Sequence, residues 1–251
     1  MTEIAELVAM NLADVEAADK CPFCYKAPHK FASRKGNSKK VVSKPSQLKC
    51  AEVLNGGAGK HTTAKHHLIC AIQCFAQVKR LVRMATMVGY DINDPPNGLG
   101  LPTFKNKYRA MPSSPLRKYS ELDDSEKQQV ASRVMAATKA QWHVGHHAFE
   151  IDIPISWVEE WDAEEFGEGD EVAHTVSYDE AVIEELLFLA TKWVEGKICE
   201  DPDDKSKELK TDLDDFSSEI KEKLEAFKDA PTSSAPYFVS QRAFQYALSN
   251  A

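Results

Sequence analysis

The sequence predicts an α+β protein in which helix outweighs strand, and three observations carry that class. Apolar residues recur at three- and four-residue steps over 68–88, 182–193 and 209–227, the period of one helix face. Extended candidates are short: Leu99-Gly100-Leu101, and the Thr-containing segment that ends in His66-His67. Proline and glycine punctuate the chain at 95–98 and 231–236, where neither a helix nor a central strand can continue.

Residues 2–19 form one short amphipathic helix, with Ile4, Leu7, Val8 and Leu12 near one face. Cys21-Pro22-Phe23-Cys24 follows, with His29 shortly after and a Lys- and Ser-rich run to Lys49. Cys-x-x-Cys is half of a zinc knuckle, so Cys21 and Cys24 are candidate structural zinc ligands. The rest of such a site would have to come through the fold from Cys50, Cys70 or Cys74, and reduced, packed cysteines are the alternative. Asn55-Gly56-Gly57-Ala58-Gly59-Lys60 lacks P-loop spacing, with His61 where Ser or Thr would stand; it is a turn. A helix is expected over 68–88, with Leu68, Ile72, Phe75, Val78, Val82 and Ala85 inward and Gly89 as its C-terminal stop. On it Cys70 and Cys74 are small core residues.

Two prolines and Asn97-Gly98 make 90–98 a turn, and the strand candidate 99–101 follows it. The basic stretch 103–118 is a surface loop that interleaves Tyr108 with Lys105, Lys107 and Arg109, a composition that can lie along a phosphate backbone. Ser125 with Gln128, and Ser177 with Glu180, have capping-box spacing and open helices to about 140 and through Trp193. Leu209, Leu213, Phe216, Ile220, Leu224 and Phe227 make a heptad-like stripe that needs a partner face. The last fifteen residues are a short packed or disordered tail.

A length of 251 residues fits one large domain or two small ones. No apolar run is long enough to cross a bilayer, and Glu3 and Glu6 stand where a secretory signal would carry positive charge. The net charge of −8 hides a segregation. Residues 20–120 hold 19 Lys and Arg against 3 Asp and Glu, a balance of +16, and residues 148–230 hold 8 against 27, a balance of −19. A basic half suits a polyphosphate partner, although two solvated faces that neutralise each other have the same composition. Six scattered cysteines are too few for a disulfide-stapled scaffold, which favours a reducing compartment.

The histidines are grouped: His66-His67 enters one apolar run, and His143-Val144-Gly145-His146-His147 stands farther on. On a helix His143 and His147 share a face one turn apart, so both imidazoles can reach one divalent ion. If the first pair lies on an extended segment, its side chains point to opposite sides and one member alone, His66 or His67, can join that ion. The other remains available for proton transfer. Taken singly, each cluster fits a surface or satisfied core pair better than a metal site.

The runs Ala64-Lys65-His66-His67-Leu68, Gly89-Tyr90-Asp91-Ile92-Asn93 with Asn97-Gly98-Leu99-Gly100-Leu101-Pro102, and Trp142-His143-Val144-Gly145-His146-His147 together resemble the AHH branch of the HNH/endonuclease VII nucleases, toxin domains of bacterial polymorphic and type VI secretion systems. Lys65 stands where that family has Ala. The resemblance implies a ββα-metal (His-Me finger) core with helical extensions. In it His67 is the general base, and Asn97 braces the loop beneath the base. His66, His143 and His147 hold a divalent metal (Mg, Mn, Ni or Zn), and His146 is a bystander.

The domain organisation that follows is an N-terminal helix and basic Cys-x-x-Cys segment over 1–60, a nuclease core over 61–155, and an acidic helical extension over 156–251. The expected function is a metal-dependent endonuclease, a DNase with RNA as the second substrate class, with Lys65, Lys105, Lys107 and Arg109 contacting nucleic acid. As an antibacterial effector it would travel by a contractile secretion system on a carrier, act in the recipient's cytoplasm, and be neutralised by an immunity protein. No membrane partner is expected. The competing expectations are a zinc-stabilised nucleic-acid-binding module without catalysis and an immunity-like interaction protein working through the acidic helices.

Overall fold

The computed structural model describes residues 20–24, 26, 52–53, 62–103, 117–143, 147, 149, 151–154, 172–195, 199, 202–227 and 237–250. The expected helix over 2–19, His29, the 55–60 turn and the basic residues Lys105, Lys107 and Arg109 lie outside them. The described elements are β1 (Glu52–Val53), β2 (Thr62–His67), α1 (Lys79–Val88), β3 (Gly98–Thr103), α2 (Asp124–Thr138), β4 (Ile151–Pro154), β5 (Val172–Val176), α3 (Tyr178–Glu195), α4 (Pro202–Ala226) and α5 (Gln241–Leu248). The class is α+β, with helix predominating among the described residues. One sheet has the order β1-β3-β2, in which β1 runs parallel to β3 with Glu52 opposite Leu99. The other is an antiparallel pair, β4 with β5, whose register shifts at Pro154, a residue that cannot donate to the ladder.

Two compact units share the chain: one takes Met1–Ala51, His67–Gly98 and Val182–Glu219, the other Glu52–His66, Leu99–Ala181 and Ile220–Ala251. In the first, the helix expected from Leu68 begins only at Lys79. Residues 71–74 turn, and Phe75–Gln77 makes a single 3-10 turn. The side-chain amide of Asn97 accepts from the Ile69 N–H at 2.7 Å and donates to the Ile69 carbonyl at 3.1 Å. Beyond it the Phe75 and Ala76 N–H groups bond to the Cys70 and Ala71 carbonyls at 2.9 and 3.1 Å, a five-residue spacing that an α-helical ladder does not have. Ile72, expected inward, is 49 % exposed. Gly89 ends α1 at φ 76° as expected. The Pro95–Asn97 segment makes one 3-10 turn before β3. The stripe Leu209, Leu213, Phe216, Ile220 and Leu224 is buried along α4, and Phe227, just past its end, is buried as well. Asp212 of α4 accepts from Trp193 Nε1 and pairs with Lys192, both at 2.7 Å and both on α3.

In the second unit α2 starts two residues earlier than its sequence suggests. Asp123, not Ser125, is the N-cap: its carboxylate accepts from the Glu126 N–H at 2.8 Å while Glu126 takes the Asp123 N–H at 3.0 Å. The expected box at the start of α3 forms, with Ser177 N–H to Glu180 at 2.9 Å and Glu180 N–H to Ser177 Oγ at 3.2 Å. The core of this unit gathers Val130, Met135, Trp142, Phe227, Phe238 and Phe244. Gln141 and Trp142 are held by residues 237–240, which are packed. Buried Gln141 donates to the Tyr237 carbonyl at 3.0 Å and accepts from the Val239 N–H at 2.9 Å, and Ser240 donates to the Trp142 carbonyl.

Gln141→Ala would remove both bonds and strand a buried carbonyl and a buried N–H. At about 1–3 kcal/mol for each unsatisfied group, an expected loss of roughly 2–4 kcal/mol is measurable by urea denaturation, with an unchanged m-value.

Candidate metal centre

Three imidazoles meet inside the second unit. His66 comes from β2, His143 from the segment after α2, and His147 from four residues on. Their candidate ligand nitrogens all lie within 4.8 Å of one another. Ring centroids are 5.0 Å apart for His66 and His143, 4.9 Å for His66 and His147, and 5.2 Å for His143 and His147. All three are buried. The helical arrangement expected for His143 and His147 is not what joins them, because neither lies in a helix. The His143 N–H donates to the Pro102 carbonyl at 2.9 Å, and its carbonyl accepts from the Thr103 hydroxyl at 2.7 Å. Those bonds to the end of β3 replace a helical ladder.

The donor set suits a divalent metal. Burial, and then the neighbouring His147, push His143 down to about 3, so it stays neutral with a lone pair to give. Val239 offers only a carbonyl acceptor, at 3.0 Å from His147 Nδ1. Nδ1 therefore carries the proton and the lone pair is on Nε2, the tautomer that metal-bound histidines with such a carbonyl partner adopt. Tyr178, the first residue of α3, places its hydroxyl 3.2 Å from His66 Nε2 and its ring 5.2 Å from that of His147. Sequence reasoning missed both partners. Tyr178 is hidden inside a capping box, and a backbone carbonyl such as that of Val239 leaves no trace in residue type.

His67 belongs to the first unit and is buried. Its Nε2 lies 3.2 Å from Asn93 Oδ1. The Asn93 side-chain amide and backbone N–H both reach Asp91 Oδ1 at 3.0 Å. An ionised carboxylate only accepts, so the amide turns its NH₂ to Asp91 and its oxygen to His67. His67 must then carry its proton on Nε2, which leaves the lone pair on Nδ1. Burial lowers the His67 pKa, and the bond to Asn93 works against that shift. Asp91 and Asn93 belong to one of the runs that carry the resemblance, yet neither had an expected role.

Asn97 makes four side-chain bonds. Besides the two to Ile69 it donates to the Ile92 carbonyl at 3.0 Å and accepts from the Ser217 hydroxyl at 3.2 Å. Its own carbonyl takes the Leu68 N–H at 3.1 Å. It braces the segment that directly follows His67. Lys65 is exposed on β2. Cys21 and Cys24 come together in the first unit, and the sulfur beside them is that of Cys199, none of the three cysteines expected. Cys70 and Cys74 are buried and reduced, and Cys50 lies outside the described residues.

In Asn93→Ala the His67 ring loses the acceptor that selects its tautomer, a bond worth about 1 kcal/mol. Long-range ¹H–¹⁵N NMR of the neutral ring should show the Nε2–H form in the wild type and a mixture of both tautomers in the variant. A wild-type ring already protonated on Nδ1 would contradict the network.

Comparison with protein-family models, with curated proteins and with solved structures gives no match for this chain.

Proposed function

We propose that the protein is a metal-dependent endonuclease, a DNase acting as an antibacterial effector toxin. The observation that carries this reading is the buried triad His66, His143 and His147, with His67 as the next residue in the same strand and its lone pair assigned to Nδ1. His66, His143 and His147 would hold a divalent ion, which when bound would supply positive charge for the scissile phosphate and the leaving oxygen. His67 Nδ1 accepts a proton from the attacking water as its oxygen bonds to phosphorus. The Nε2–H bond to Asn93 holds the imidazolium that results, and the bond to the leaving 3′ oxygen breaks. Asn97 keeps the backbone after His67 from shifting, which fixes the ring's approach.

DNA as the partner is supported by the +16 balance over residues 20–120. Delivery by a contractile secretion system on a carrier and neutralisation by an immunity protein rest on the resemblance to AHH nucleases. That resemblance also motivates a ββα-metal core, in which β2 and β3 would be the strands.

A second reading has its own observation. All three ligands are at most 8 % exposed, which also suits a structural ion in a nucleic-acid-binding module. The two readings part on cleavage. Purified protein stripped with chelator and restored with Mg, Mn, Ni or Zn singly should nick or linearise plasmid. His67→Ala should lower the rate by about 10²–10⁴-fold, with metal content and folding retained, and His143→Ala should lose metal and activity together. Binding without cleavage under every metal, undiminished in His67→Ala, would select the binding module.

A further inference from the structure

We infer that Cys21, Cys24 and Cys199 form a second, structural zinc site in the first unit, independent of the histidine centre. The three sulfurs all lie within 4.8 Å of one another, and those of Cys21 and Cys199 are 3.6 Å apart. That separation is far longer than a disulfide of about 2.05 Å and close to the spacing of two thiolates sharing one ion at about 2.3 Å each in a tetrahedral shell.

The turn that carries two of the ligands is preformed. The Cys21 N–H donates to the Lys26 carbonyl at 3.0 Å, closing the loop around Cys24. Two arginines of α1 grip the same turn from outside. Arg80 Nε donates to the Pro22 carbonyl at 2.7 Å, and Arg83 donates to the Lys20 carbonyl. Arg80 is itself buried, so a fixed cation sits against the turn. Its presence suits a centre that becomes anionic on binding, since one Zn²⁺ with three thiolates carries a net charge of −1. Thiols are weak hydrogen-bonding partners, so three of them converging gain little from one another without an ion.

The choice of metal follows from the ligands: soft sulfur donors in a Cys-x-x-Cys turn select zinc over magnesium or manganese. Three protons leave as the thiolates bind, and no oxidant or reductant takes part. The bound ion would tie the 21–24 turn to residue 199, between α3 and α4.

The test uses the full, reduced chain with cobalt(II) as a spectroscopic stand-in for zinc. The wild type should develop an intense thiolate-to-cobalt charge-transfer band that zinc abolishes. His143→Ala should keep the band, and Cys199→Ser should lose it while still binding metal at the histidines. For the wild type alone, added zinc should protect Cys21, Cys24 and Cys199 together from alkylation, and chelator should expose all three. The proposal is overturned by a wild type with no charge-transfer band, by a band unchanged in Cys199→Ser, by equal alkylation with and without zinc, or by a Cys21–Cys199 disulfide in protein purified without reductant. Because the readouts are spectroscopy and labelling, they stand whether or not the protein cleaves DNA.

Discussion

Alternate residues of a strand face opposite ways, and in β2 this rule falls between two histidines. His66 turns into the triad with His143 and His147, and His67 turns to Asn93. The division between the two compact units falls at the peptide bond that joins them. A one-residue slip of this strand would exchange the two rings and give each the other's partners. The strand is pinned against such a slip from the β3 side. Asn97, immediately before β3, binds the backbone of Leu68 and Ile69 just past the strand's end through its main chain and its side chain.

Burying imidazoles carries its own constraint. Burial disfavours the charged ring, and each N–H it keeps needs an acceptor. For His147 that acceptor is the Val239 carbonyl, and for His67 it is Asn93. The two solutions differ in what they leave exposed to chemistry. His147 presents Nε2, and His67 presents Nδ1. Neither is a matter of which residues are histidine; both are set by the groups behind the ring. Those groups are themselves fixed, Asn93 by Asp91 and the Val239 backbone by Gln141.

Much of this was legible in the residue pattern. Periodicity located α3 and α4, the glycine stop of α1 and the capping box at Ser177. The grouping of histidines marked the three rings that converge, because residue type and spacing are what such a pattern exposes. Failures came where a single side chain overrode local preference. Asn97 took both backbone groups of Ile69, and β3 took both backbone groups of His143 in place of a helix. Asp123 capped as well as Ser125 would have, and lay two residues earlier. Cys199 and Tyr178 escaped notice for a different reason: Cys199 meets Cys21 across 178 residues and Tyr178 meets His66 across 112, and no local rule spans that distance.

The bond from Val239 to His147 also sets an order of events during synthesis. His66, His143 and His147 have all left the ribosome well before Val239 is made, so the nascent chain passes through a stage in which the imidazoles exist and the carbonyl that fixes one of them does not. Gln141 is waiting at that stage with both its partners, Tyr237 and Val239, still to come. His147 therefore gains the acceptor for its Nδ1–H only when the segment preceding α5 docks, and a chain truncated before that segment would carry all three imidazoles yet lack the group that orients His147.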